Sequence, residues 1–217
     1  MSLNSCLKYA FYKIVSFLRY AYHKCISLNI KKNGLSIISN DCIGGIIYHD
    51  LGLKFLSPTI NLFFETQDDY LEFLSDVNYY SNVSPIQVER KDVNYPVGKL
   101  VKGDKEVLIH FMHYDTFENA VSKWVERGKR INYDKLFVIW HVGNENGPTK
   151  SDLVLFDDFK FIKKILITGN KCNYDYDYIV KLDLYSNKNY YPGMILDYPN
   201  RFSIKRYLDK THYYKFI

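Results

Sequence analysis

Cysteine is scarce and scattered in this chain. Cys6, Cys25, Cys42 and Cys172 form no CxxC pair and no His/Cys pair at the spacing of half a tetrahedral site, so no structural zinc, and no metal, is expected. No cleavable leader with a small-residue cleavage site is legible ahead of the domain, and the chain reads as a protein of a reducing cytoplasm. Acid is missing altogether before Asp41, where six basic residues stand: Lys8, Lys13, Arg19, Lys24, Lys31 and Lys32. The net charge of +5 therefore belongs to the amino-terminal arm, because the rest of the chain holds 23 basic and 24 acidic residues. A nucleic-acid binder spreads its cations over the face that grips phosphates, so nucleic acid is not an expected partner. No apolar run here reaches the roughly 20 residues of a bilayer-spanning helix, since Lys8 and Lys13 interrupt the first one. Neither GxGxxG nor a lysine-bearing phosphate loop occurs, and no repeat or low-complexity linker divides the chain.

What is abundant is apolar and aromatic material. With 47% hydrophobic residues, a chain of 217 can bury one substantial core, which excludes a disordered protein. Between Ser5 and Leu28, Leu7, Phe11, Ile14, Leu18, Ala21 and Cys25 recur every three to four positions, with Lys8, Lys13, Arg19, His23 and Lys24 opposite. That spacing predicts an amphipathic helix. Its all-basic polar face suits an anionic membrane surface, giving peripheral contact at the inner membrane, or equally a helix docked on the domain. Residues 1–33 are thus an amphipathic helix and 34–217 a single domain.

In that domain, strand and helix patterns alternate. Leu35 to Ser39 reads as a buried strand and Cys42 to Leu51 as a helix capped by Asn40-Asp41. Thr59 to Phe64 reads as a strand, and Thr66-Gln-Asp-Asp69 as a capping box opening a helix. Val97–Val101 and Glu106–Met112 flank a hairpin turn, and Thr116 caps a helix to about Gly128. Leu136–Val142, Ile165–Thr168 and Tyr178–Leu182 follow as strands, with a helix near Phe202 to Leu208. The expected fold is α/β, with a mixed, partly parallel sheet flanked by helices.

Ligands of such sheets bind beyond the carboxyl ends of the strands. That rule selects Ser39, Asn40 and Asp41, then His113, Tyr114 and Asp115, then His141 and Thr168. Gly44 and Gly45 stand in the first turn of a helix, where backbone N–H groups and the helix dipole favour phosphate, or where the glycines simply allow close packing. His113 could act as a general base oriented by Asp115, or Asp115 could merely cap the next helix. Arg127 and Arg130, three apart, could clamp a diphosphate or satisfy the helix carboxyl end. Asp175-Tyr-Asp177 matches a DxD metal pattern only weakly, because no buried strand precedes it.

Five ordered blocks, Ile37-Ile-Ser-Asn-Asp-Cys-Ile-Gly-Gly45, Ser57-Pro58, Tyr95-Pro-Val-Gly98, His110-Phe-Met-His-Tyr114 and Trp124-x-x-Arg127-x-x-Arg130-Ile-Asn132, resemble the bacterial family called domain of unknown function 1919. The resemblance implies exopolysaccharide or capsule biosynthesis, with sugar transfer as the leading activity. On that reading Asp41 or His113 takes the acceptor hydroxyl proton and Asp115 orients. Asn40, Gly44, Gly45, Arg127 and Arg130 receive the donor phosphates. The partners would be a nucleotide sugar and a lipid-linked saccharide acceptor, and no cofactor is identified. Another sugar-modifying transferase, or a non-catalytic assembly protein of polysaccharide synthesis, stays open as the alternative.

Overall fold

The computed structural model describes residues 34–142, 147–161, 163–169 and 172–181, together with eight positions between Phe11 and Leu28. Those eight are all helical, as the amino-terminal periodicity predicts. The helix expected near Phe202 to Leu208 lies outside the described residues.

The first sheet is parallel throughout, in the order β1 (Ser36–Ser39), β6 (Leu136–His141), β7 (Lys163–Thr168) and β8 (Ile179–Lys181). The second is antiparallel, in the order β2 (Phe63–Phe64), β5 (Lys105–His110), β4 (Val97–Lys102) and β3 (Ile86–Val88). The chain enters the second sheet after β1 and returns to place β6 beside β1, so a long excursion separates two strands that are hydrogen-bonded neighbours. Parallel and antiparallel pairing, both legible in the sequence, are thus divided between two sheets.

Both faces of the parallel sheet are covered, which is why its strands read as continuous apolar runs. On one face Ile37, Phe137, Ile139, Ile165 and Ile167 pack against Ile43, Ile47, Tyr48 and Leu51 of and after helix α1 (Ile43–Asp50). On the other, Ile38, Val138, Trp140 and Leu166 join a larger core. To it α2 (Gln67–Ser75), α3 (Val77–Asn82), α4 (Phe117–Gly128), α5 (Lys150–Asp158) and the antiparallel sheet all contribute. Close approach of α4 to α3 explains Gly128, where a Cβ would collide with the Ser81 carbonyl oxygen.

The outer edge of β1 is closed by side chains. Tyr48 Oη accepts from Ile37 N at 2.8 Å and donates to Leu35 O at 3.3 Å, while Thr59 Oγ1 accepts from Ser39 N at 3.2 Å. Expected as strand, Thr59–Leu62 instead runs as irregular chain ending in the two-residue β2, and its threonine hydroxyl does for the edge what a ladder N–H or C=O would otherwise do. Asn61 takes φ 63° in this stretch, a left-handed conformation that asparagine tolerates better than most residues.

Helix α5 is anchored at its far end by Lys164, whose ammonium donates to the carbonyls of Phe156, Asp157 and Phe159 at 2.8, 2.7 and 3.1 Å. A cation there complements the negative end of the helix. Its other end opens at the carboxyl edge of β6.

Candidate functional site

Asn40 and Asp41 leave β1 at its carboxyl end, and each uses its side chain on β6. The Asn40 carboxamide accepts from His141 N and donates to His141 O, both at 2.8 Å, so it extends the β1–β6 ladder as a peptide group would. This clasp fixes His141 beside Asp41. Asp41 Oδ2 meets His141 Nδ1 directly, and Asp41 Oδ1 accepts from Ile43 N at 2.8 Å at the start of α1. Both residues are 7% exposed. A buried carboxylate needs partners, and here it has an imidazole, a backbone N–H and the positive end of a helix. The Tyr70 hydroxyl lies nearby, donating to Ile139 O at 2.9 Å, and burial together with the Asp41 charge pushes it well above the ordinary tyrosine range.

A carboxylate on Nδ1 holds that nitrogen as the donor and leaves Nε2 as the basic lone pair of the ring. His141 lines a cleft of about 500 Å³ beyond the carboxyl ends of β1 and β6, together with Asn40, Glu65, Gln67, Asp68 and Asp152. Ligand pockets occupy this size range and this location in α/β sheets.

The structure sorts the residues named from the sequence. Asn40 and Asp41 are in the site. Gly44 and Gly45 adjoin it, but the N–H of Gly44 donates to Ser39 Oγ at 3.1 Å and that of Ile43 to Asp41. A Cβ on Gly44 would sit 2.6 Å from Ser39 Oγ, and one on Gly45 3.2 Å from Ile60 Cγ2. Close packing therefore accounts for both glycines, and the negative charge at this helix start is Asp41's own. His113 and Asp115 are exposed in the turn between β5 and α4, with no hydrogen bond or ion pair to each other or to Asp41 among the described residues. Asp175 and Asp177 are exposed in the loop before β8.

Arg127 and Arg130 do converge, though on the chain itself. Arg127 is 8% exposed, donates to Tyr114 Oη at 2.6 Å and lies over the Phe55 ring with its guanidinium carbon 4.9 Å from the centroid. Tyr114 Oη in turn donates a hydrogen bond to Ile60 O at 2.9 Å. Arg130 reaches Phe55 O at 3.4 Å and pairs with Glu126. Together they tie α4 to the 55–60 segment that closes the β1 edge.

One pairing and one residue escape the sequence reading. His141 is visible as a strand-end residue, but its pairing with Asp41 spans 100 positions and depends on register. Glu65 has no motif around it. Its Oε1 accepts from Arg90 Nη1 at 3.0 Å and its Oε2 lies 3.7 Å from His110 Nε2. His110 is 4% exposed and stacks on Phe63 at 4.5 Å; burial pushes its pKa below the ordinary imidazole value despite Glu65.

Fold and site define an α/β protein with an Asp–His pair at the carboxyl edge of a parallel sheet. The chain belongs to the family described as domain of unknown function (DUF1919), whose model matches residues 13–217. It is 33% identical over 150 residues to an uncharacterized protein of Haemophilus influenzae, an alignment covering 69% of each chain.

Proposed function

We propose that this chain is a transferase of exopolysaccharide or capsule synthesis that activates a saccharide hydroxyl, with a nucleotide sugar as donor. The observation that carries the reading is the buried Asp41–His141 pair, whose histidine lines the cleft. His141 Nε2 takes the proton of the acceptor hydroxyl as its oxygen bonds to the donor's anomeric carbon. The bond from that carbon to the nucleoside diphosphate breaks, and the diphosphate leaves with the electron pair. Asp41 stabilises the imidazolium and keeps its place in the site as the orienting group.

A thermal-shift comparison with UDP-, GDP-, CDP- and TDP-sugars, with and without magnesium or manganese, tests the donor. A ligand that binds only the native state raises the melting temperature, by several degrees for one nucleotide family if the reading holds. No shift with any of them, in protein that melts cooperatively, would overturn glycosyl transfer.

The amino-terminal helix supports work at a membrane face. Phe11, Ile14, Phe17, Leu18 and Leu28 are 44–69% exposed at the described positions, beside Lys13 and Lys24. Among the described residues no helix is long and apolar enough to cross a bilayer. Interfacial binding would gain about 1 kcal/mol from each basic residue near an anionic surface. The protein should co-sediment with anionic vesicles, far less with phosphatidylcholine alone, and lose binding when residues 1–33 are removed. Equal partition onto both lipids would count against charge-assisted contact.

A further inference from the structure

The cleft walls carry a second message, in what charges they hold. No lysine or arginine is among the described residues that line it, whereas Glu65, Asp68 and Asp152 do, with Asp41 behind His141. Arg90 pairs with Glu65 at 3.0 Å and with Asp92 at 2.7 Å, so its charge is already answered by two carboxylates.

Two helices begin at this cleft, and a helix start would ordinarily favour an anion. Both are self-capped. Thr66 Oγ1 accepts from Asp69 N at 3.0 Å while Asp69 Oδ2 accepts from Thr66 N at 3.0 Å. At α5 Thr149 Oγ1 accepts from Asp152 N at 3.2 Å and Asp152 Oδ2 from Thr149 N at 2.8 Å. A carboxylate of the protein already sits at each positive helix end, so a phosphate entering here would meet like charge and find these leading N–H groups in use.

We infer that the cleft is the acceptor pocket, and that it takes a polyhydroxylated saccharide, uncharged or carrying an amine, and rejects phosphate. The inference rests on reading Asp41–His141 as the hydroxyl-activating pair. Sugar hydroxyls are donors that carboxylates accept in short, charge-assisted hydrogen bonds, and Asp68, exposed at the rim, is placed to supply them. Repulsion of anions by the carboxylates of the wall gives the specificity against sugar phosphates. The donor diphosphate then lies outside this pocket, with its anomeric carbon directed to the mouth.

Saturation-transfer NMR on the full chain provides the test, with methyl glycosides of glucose, galactose, N-acetylglucosamine and glucosamine as probes against glucose 1-phosphate and pyrophosphate. One or more of the glycosides should bind, with at least tenfold weaker affinity in Asp68→Ala and an unchanged melting temperature; the phosphates should neither bind in the pocket nor compete. Pyrophosphate or the sugar phosphate displacing a bound glycoside, or binding more tightly in an Asp68-dependent way, would overturn the inference. So would absence of binding by all four glycosides. Neither result touches the Asp–His reading, which stands or falls on turnover of Asp41→Asn.

Discussion

Asp41→Asn should lower kcat by about 10²–10⁴-fold while leaving KM and the melting temperature close to wild type. The substitution preserves shape and keeps an oxygen to accept from Ile43 N, so the start of α1 remains capped. It replaces the acceptor facing His141 Nδ1 with an amide that can donate. The imidazole then relaxes to the tautomer protonated on Nε2, and the nitrogen that should take the substrate proton already carries one. Two readouts separate this from a structural effect: the loss falls on kcat and not on KM, and the ¹⁵N spectrum of His141 reports the change of tautomer. His141→Ala should match it in turnover, because two residues that act as one unit are not additive. Wild-type turnover in both variants would remove the pair from the mechanism.

Arg127→Ala should cost about 2–4 kcal/mol of unfolding free energy, because it removes a charged hydrogen bond and a cation–ring interaction from a buried place. Arg130→Ala, at a more open pair with Glu126, should cost under about 1 kcal/mol. Urea unfolding followed by circular dichroism measures both as shifts of midpoint at constant slope. Normal stability of Arg127→Ala combined with a lost nucleotide response would restore the diphosphate clamp suggested by the sequence spacing. The distinction matters for donor binding, since a destabilised Arg127 variant reads as a weak binder for reasons unrelated to the ligand.

These two arginines show where sequence reasoning reaches its limit. Their spacing brings them together at the carboxyl end of α4, Arg127 in its last turn and Arg130 just beyond it, but what faces them depends on the 55–60 segment, about 70 residues earlier. His113 and Asp115 share the problem in reverse. They follow a strand, yet the strand belongs to the antiparallel sheet, so the rule about carboxyl ends of parallel strands does not apply to them. The Gly44-Gly45 doublet has two local explanations, and only the positions of Ser39 and Ile60 choose between them.

The sequence by itself determined β1 and α1, the Thr66 and Thr116 caps with the helices they open, the hairpin, β6, β7 and the helical amino-terminal segment, because periodicity, capping and turn chemistry act within a few residues; α3, β3 and α5 it left unread. It also placed Asn40, Asp41 and His141 at strand ends. Tertiary structure alone decided that β1 and β6 are neighbours, that the strands divide into two sheets, and that Asp41 meets His141 and neither His113 nor Asp115. Strand pairing is set by the collective burial of distant apolar faces, and a one-residue change of register would turn His141 to the opposite face, away from Asp41.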